Sequence, residues 1–111
     1  MQITTTPEAD VTVIRVEGSM DATTVVEFDA EWKKALEEGA DKLVVEMSGL
    51  EYISSAGLRG ILMLAKTAKV KGAGLAFAGM RDMVSDMFKL SGFLTILSVH
   101  PDVASAASHL K

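Results

Sequence analysis

The sequence predicts an α/β fold, a single small domain in which a mixed sheet of four to five strands is flanked by about four helices. Three observations carry that expectation. Short apolar runs alternate with stretches of helical periodicity, glycines fall at the junctions, and an alternating segment near the start supplies a hairpin before the first helix. At 111 residues, 49% of them hydrophobic, the chain suits one domain over residues 1–111 with one core.

Each element has its own signal. Residues 11–16 alternate apolar with polar side chains and read as a strand, paired with a weaker one at 3–5 and broken by Gly18. Asp21 is placed to cap a helix on which Val25, Phe28, Trp32 and Leu36 recur at intervals of three and four. Gly39 stops it. Residues 43–45 form a continuous apolar run, as expected of a strand covered on both faces, and the strand is read as reaching Met47. Leu58, Ile61, Leu62, Ala65 and Ala68 then mark a second helix, and Gly72 and Gly74 bracket the turn into a buried strand at 75–78, which Gly79 ends. Met83, Val84, Met87 and Leu90 define a third helix that stops near Gly92. Residues 94–99 read as a final strand, and Pro101 suits the first turn of a short helix carrying Val103, Ala106, Ala107 and Leu110.

The most informative stretch is Tyr52-Ile53-Ser54-Ser55-Ala56-Gly57-Leu58-Arg59, where two hydroxyls precede the second helix. At a helix N-terminus the unpaired backbone N–H groups and the helix dipole favour negative charge, so a phosphate added there is stabilised. The same serines also serve as ordinary helix caps. Arg59 falls on the polar side of this helix close to the serines, suited to pair with a phosphate or an acidic partner. Gly57 and Gly60 either clear space for a partner or let the helix pack closely on the sheet.

Composition excludes several function classes. A net charge of -4 without clustered Lys and Arg argues against nucleic acid as a partner. The absence of cysteine removes disulfides and thiolate metal sites, which suits a reducing cytoplasm. No apolar run approaches membrane-spanning length, and residues 1–10 lack the pattern of a secretory signal, so a cytoplasmic protein without membrane insertion is expected. His100 and His109 have no third ligand nearby in sequence, so neither metal nor cofactor is implied. Residues 53–57 lack the first glycine of a nucleophile elbow, and Gly72-Ala73-Gly74 lacks the Gly-Lys-Ser/Thr of a P-loop. No aspartate follows residues 43–45 as a receiver domain requires. The chain reads as a substrate of enzymes and not as an enzyme.

The run from Glu46 to Leu62, with Ser54-Ser55-Ala56-Gly57-Leu58 at its centre, resembles the signature segment of STAS domains, especially bacterial anti-sigma-factor antagonists. Gly18-Ser19-Met20-Asp21-Ala22 is similar to that family's Gly-x-Ile/Leu-Asp element, and Gly72-Ala73-Gly74-Leu75 to its turn into the next strand. The resemblance implies a mixed sheet flanked by helices and a switch in which a serine-kinase anti-sigma factor phosphorylates Ser55, with Ser54 as the alternative acceptor. It further implies an opposing PP2C-type phosphatase, and partner binding through Asp21, Ser54, Ser55, Gly57 and Arg59. Two positions depart from the family pattern: Ser54 stands where Asp is usual, and Glu46 replaces the Asp expected at the end of the preceding strand. The loss of the Asp keeps a second expectation open, a constitutive scaffold or accessory subunit, in a lipid-transport complex or a stress-signalling assembly, never modified at Ser55.

Overall fold

A computed structural model describes all 111 residues. Strands β1 (Gln2–Glu8) and β2 (Val11–Met20) form an antiparallel hairpin, followed by α1 (Val25–Glu37), β3 (Lys42–Ile53), α2 (Ser55–Lys71), β4 (Gly74–Ala78), α3 (Asp82–Leu90), a 3-10 turn at Phe93–Thr95, β5 (Val99–His100) and α4 (Val103–His109). The strands lie in the order β1-β2-β3-β4-β5, and every pair after the hairpin is parallel. The strand order advances in one direction, so right-handed crossovers put α1, α2 and α3 on the same face. Only α4, which has no strand to return to, covers the other.

Side-chain alternation divides the apolar residues between the two faces. Ile14, Val16, Leu43, Val45, Met47 and Phe77 face the three crossover helices and pack with Phe28, Trp32, Ile61, Leu64, Val84 and Phe88. Val13, Val44, Ala76 and Ala78 face the opposite way, toward Ala106 of α4. Residues 43–45, expected to be covered on both faces, are all fully buried. Trp32, read as core of the first helix, is 1% exposed.

Four elements differ from the sequence expectation. Gly18 does not break β2: it takes a φ of +96° and the strand continues to Met20. β3 does not end at Met47 but runs six residues further to Ile53, because it goes on pairing with β2 as far as Met20 and carries two extra residues relative to it, between the pairs Arg15↔Glu46 and Glu17↔Gly49 and between Gly18↔Leu50 and Ser19↔Tyr52. Each bulge lengthens the interval between inward-facing residues from two to three, so Met47, Leu50 and Ile53 all reach the same core. Glu46 accordingly lies within the strand, its carboxylate accepting from the Ser48 N–H and hydroxyl. The final strand is reduced to Val99–His100: Gly92 is left-handed, and Phe93 starts a 3-10 turn with its ring edge-on to Phe88 at 5.6 Å. A short apolar run fits a strand or a packed turn equally well by pattern, and this one is only half-buried, with Ile96 65% exposed. Pro101 precedes the N-cap Asp102 of α4 instead of entering its first turn.

Candidate functional site: the carboxyl ends of β2 and β3

β2 and β3 finish side by side, with Met20 paired to Ile53, and the Ser54 N–H donates to the Met20 carbonyl at 2.9 Å. The two strand-to-helix junctions therefore adjoin at the carboxyl end of the parallel strands, where open α/β sheets place their sites. Ser54 has an extended backbone and caps α2: its Oγ accepts from the Gly57 N–H at 3.3 Å, and its carbonyl accepts from the Leu58 N–H at 2.9 Å. Ser55 is the first helical residue and is exposed, whereas Ser54 is half-buried. The first turn of α2 holds no acidic side chain, so nothing there offsets the helix dipole.

Asp21 closes the neighbouring junction. Its Oδ1 accepts from the N–H groups of Thr23 at 2.9 Å and Thr24 at 3.1 Å, while its own N–H donates to Thr24 Oγ1 at 2.9 Å. This is a reciprocal cap with threonine in the return position. The expected cap therefore acts on the turn leading into α1, and the regular helix starts only at Val25, after Thr24. Backbone N–H donation from Thr24, then Thr23, holds the Asp21 carboxyl below the usual carboxylate range.

Two glycines set how closely the elements approach. Gly57 is buried, and a Cβ there would lie 2.7 Å from the Met20 carbonyl oxygen and 2.7 Å from Ile53 Cγ1. Its bareness is demanded by the sheet beneath. Gly60 is also buried, but a Cβ there would meet Val25 Cγ2 at 2.5 Å and Asp29 Oδ1 at 3.2 Å. The close packing at Gly60 is thus helix on helix, α2 on α1, and not helix on sheet.

Between α1 and α2 this approach leaves an open groove of about 450 Å³ whose lining includes Ala22, Val25, Ala56, Arg59, Gly60 and Met63. Lys33 and Asp29 complete its wall. Asp29 Oδ1 accepts from the Trp32 indole N–H at 3.0 Å, and Lys33 lies over the Trp32 ring. The chain's one ion pair joins Arg15 to Glu8 on the other side of the sheet, which leaves Arg59 exposed and without a carboxylate partner. Asp21, Ser54, Ser55 and Arg59 are gathered at one end of the molecule, with Gly57 beneath them. Of the groove residues, Val25 was read from sequence only as part of the apolar face of the first helix, and Lys33 and Met63 were not assigned to a site; Gly60 was the one signal of close packing, and it was read as packing on the sheet or as space for a partner.

No three His, Asp or Glu side chains converge as a metal site, and no helix is long and apolar enough to cross a membrane. A family model described as "Mlab, STAS domain" matches residues 3–98. The chain belongs to the STAS-domain family. BtrV of Bordetella bronchiseptica, named as an anti-sigma factor antagonist, is 30% identical over 96 residues, covering 86% of this chain and 83% of that one. Among solved structures, an anti-sigma factor antagonist from Thermotoga maritima superposes with a TM-score of 0.90 at 17% identity, over 97% of this chain and 93% of its own. The Bacillus cell-fate determinant SpoIIAA is similar in its unphosphorylated form (TM-score 0.81, 17% identity, 97% and 95% covered) and its phosphorylated form (0.76, 16%, 99% and 100%). This STAS domain is of the anti-sigma-factor-antagonist type, a regulatory class, and its five-stranded mixed sheet with four helices is the fold of those relatives.

Proposed function

We propose that this STAS protein is the switchable partner of a cytoplasmic serine-kinase anti-sigma factor, captured when Ser55 carries a free hydroxyl and released when Ser55 is phosphorylated. One observation carries the reading: Ser55 is exposed at the first position of α2, next in sequence to Ala56, which lines the groove between α1 and α2. In the forward step Ser55 Oγ attacks the γ-phosphorus of ATP, the bond to the bridging oxygen breaks, ADP leaves and the hydroxyl proton passes to the kinase. A PP2C-type phosphatase reverses the state by hydrolysis. The added group brings roughly -1.5 to -2 charges and three acceptor oxygens. Desolvating it, or placing it against acidic partner groups, weakens binding tenfold for about every 1.4 kcal/mol. SpoIIAA has been solved with this fold in both phosphorylation states, which supports a switch that leaves the architecture standing.

Ser54 is the lesser candidate acceptor, because its oxygen already accepts from the Gly57 N–H and the residue is half-buried. Incubation with the candidate kinase and ATP, followed by mass spectrometry, is expected to place the phosphate on Ser55. Ser55→Ala is expected to hold the anti-sigma factor persistently and Ser55→Asp weakly. The scaffold reading is favoured by one observation, the serine at position 54 where the family usually has Asp. Equal binding by the two variants selects that reading.

A further inference from the structure

The geometry points to Arg59 as the side chain that receives the Ser55 phosphate within the same helix, so that phosphorylation both adds charge and withdraws a cation from the docking groove. This rests on the phosphorylation of Ser55 proposed above and specifies how it acts. Ser55 and Arg59 stand one helical turn apart, at i and i+4, where Cβ atoms are about 5–6 Å apart. Both are exposed, and the same face continues through Met63, Lys66 and Val70, all exposed too. Arg59 has no carboxylate partner, and it sits near the positive end of a helix whose first turn carries no acid to compensate. A cation so placed is unfavourable, and a dianion at position 55 relieves it. The guanidinium also presents paired donors that match a phosphate's oxygens.

The surroundings make Arg59 the receiver. Lys33, the other groove cation, lies on α1 with its ammonium 5.6 Å from the Trp32 ring centroid. Asp29 already accepts from Trp32, and Asp21 is bound by the amides of its own turn, so neither carboxylate is committed to Arg59. In the unmodified protein Arg59 is free to meet a carboxylate of the docked partner. Once Ser55 is phosphorylated, the same guanidinium is held in cis, and Lys33 is the one groove cation left unpaired by the phosphate.

The test is made on the isolated full chain with phosphoserine installed at position 55 during translation, so it does not depend on any kinase. Phosphorus NMR follows the second ionisation of the phosphate, which lies near pH 6 when unpaired. The expected midpoint lies below that value and rises by about half a pH unit or more in Arg59→Gln. It should return most of the way in Arg59→Lys and stay put in Lys33→Gln. A midpoint indifferent to Arg59 overturns the clamp. If phosphoserine 55 nevertheless abolishes capture of the anti-sigma factor, the switch stands without it. If phosphoserine leaves capture unchanged while the midpoint responds to Arg59, the switch fails and the clamp remains.

Discussion

At the scale of single residues, the two serines, both read from sequence as ordinary helix caps or as acceptors with Ser55 preferred, have divided roles. Ser54 spends its oxygen on the cap, and Ser55, one position later, is left outside it. Gly57 makes that division possible by letting the first turn of α2 rest on the Met20 carbonyl. Gly57→Ala is a direct probe, because helix propensity alone favours alanine by about 1 kcal/mol. The clash with backbone at 2.7 Å reverses the sign. A net loss of about 1–3 kcal/mol is expected in urea unfolding. A gain instead would show that α2 does not rest on the sheet as described.

At the scale of elements, the site is a product of how strands end and helices cross. The two bulges in β3 carry its inward residues from Met47 to Leu50 to Ile53, so that β3 finishes level with β2 and delivers Ser54 beside Met20. Gly60 then fixes the approach of α2 to α1 and with it the shape of the groove. Gly60→Val forces apart a contact that a single Cβ would already bring to 2.5 Å from Val25. Expected are a loss of about 2 kcal/mol in stability and amide NMR shifts concentrated at positions 25–33 and 56–63. Shifts spread evenly over the chain would refute a local crossing.

At the scale of the whole molecule, three carboxylates on separate elements share one behaviour. A hydrogen bond from Arg15 lowers the Glu8 pKa, amide donation from Thr24 and Thr23 lowers that of Asp21, and the Ser105 amide lowers that of Asp102. A carboxyl group depressed in the folded state contributes stability that is fully present above its unfolded pKa, about 4. That contribution is lost as pH falls through the folded value. Urea midpoints are therefore expected to hold steady from neutrality to about pH 5 and to drop progressively below about pH 4. In Asp21→Asn the drop is shallower. An identical acid limb in that variant would show that the cap is not linked to folding.

The sequence by itself determined the α/β class, the order of strands and helices, the core-facing residues of α1 and most of those of α2, and the serine pair at the start of α2. On α3 it pointed to Met83 and Leu90, which are exposed, and passed over Phe88, which is buried. What it determined follows from period, apolarity and capping chemistry, which act over a few neighbouring residues. Asp21 and Ser54 were legible as caps for the same reason, Ser55 as a site candidate through the resemblance of residues 46–62 to the STAS signature, and Arg59 because it falls on the polar side of the helix close to the serines. Tertiary structure decided the remainder. The length of β3 depended on its pairing with β2, since a spacing of three looks like neither strand nor helix until a partner strand supplies the register. The turn at 93–95 depended on Phe88 offering Phe93 an aromatic edge. The groove of Val25, Lys33 and Met63 exists only because two helices separated by a whole strand meet at Gly60, a contact that no local pattern encodes.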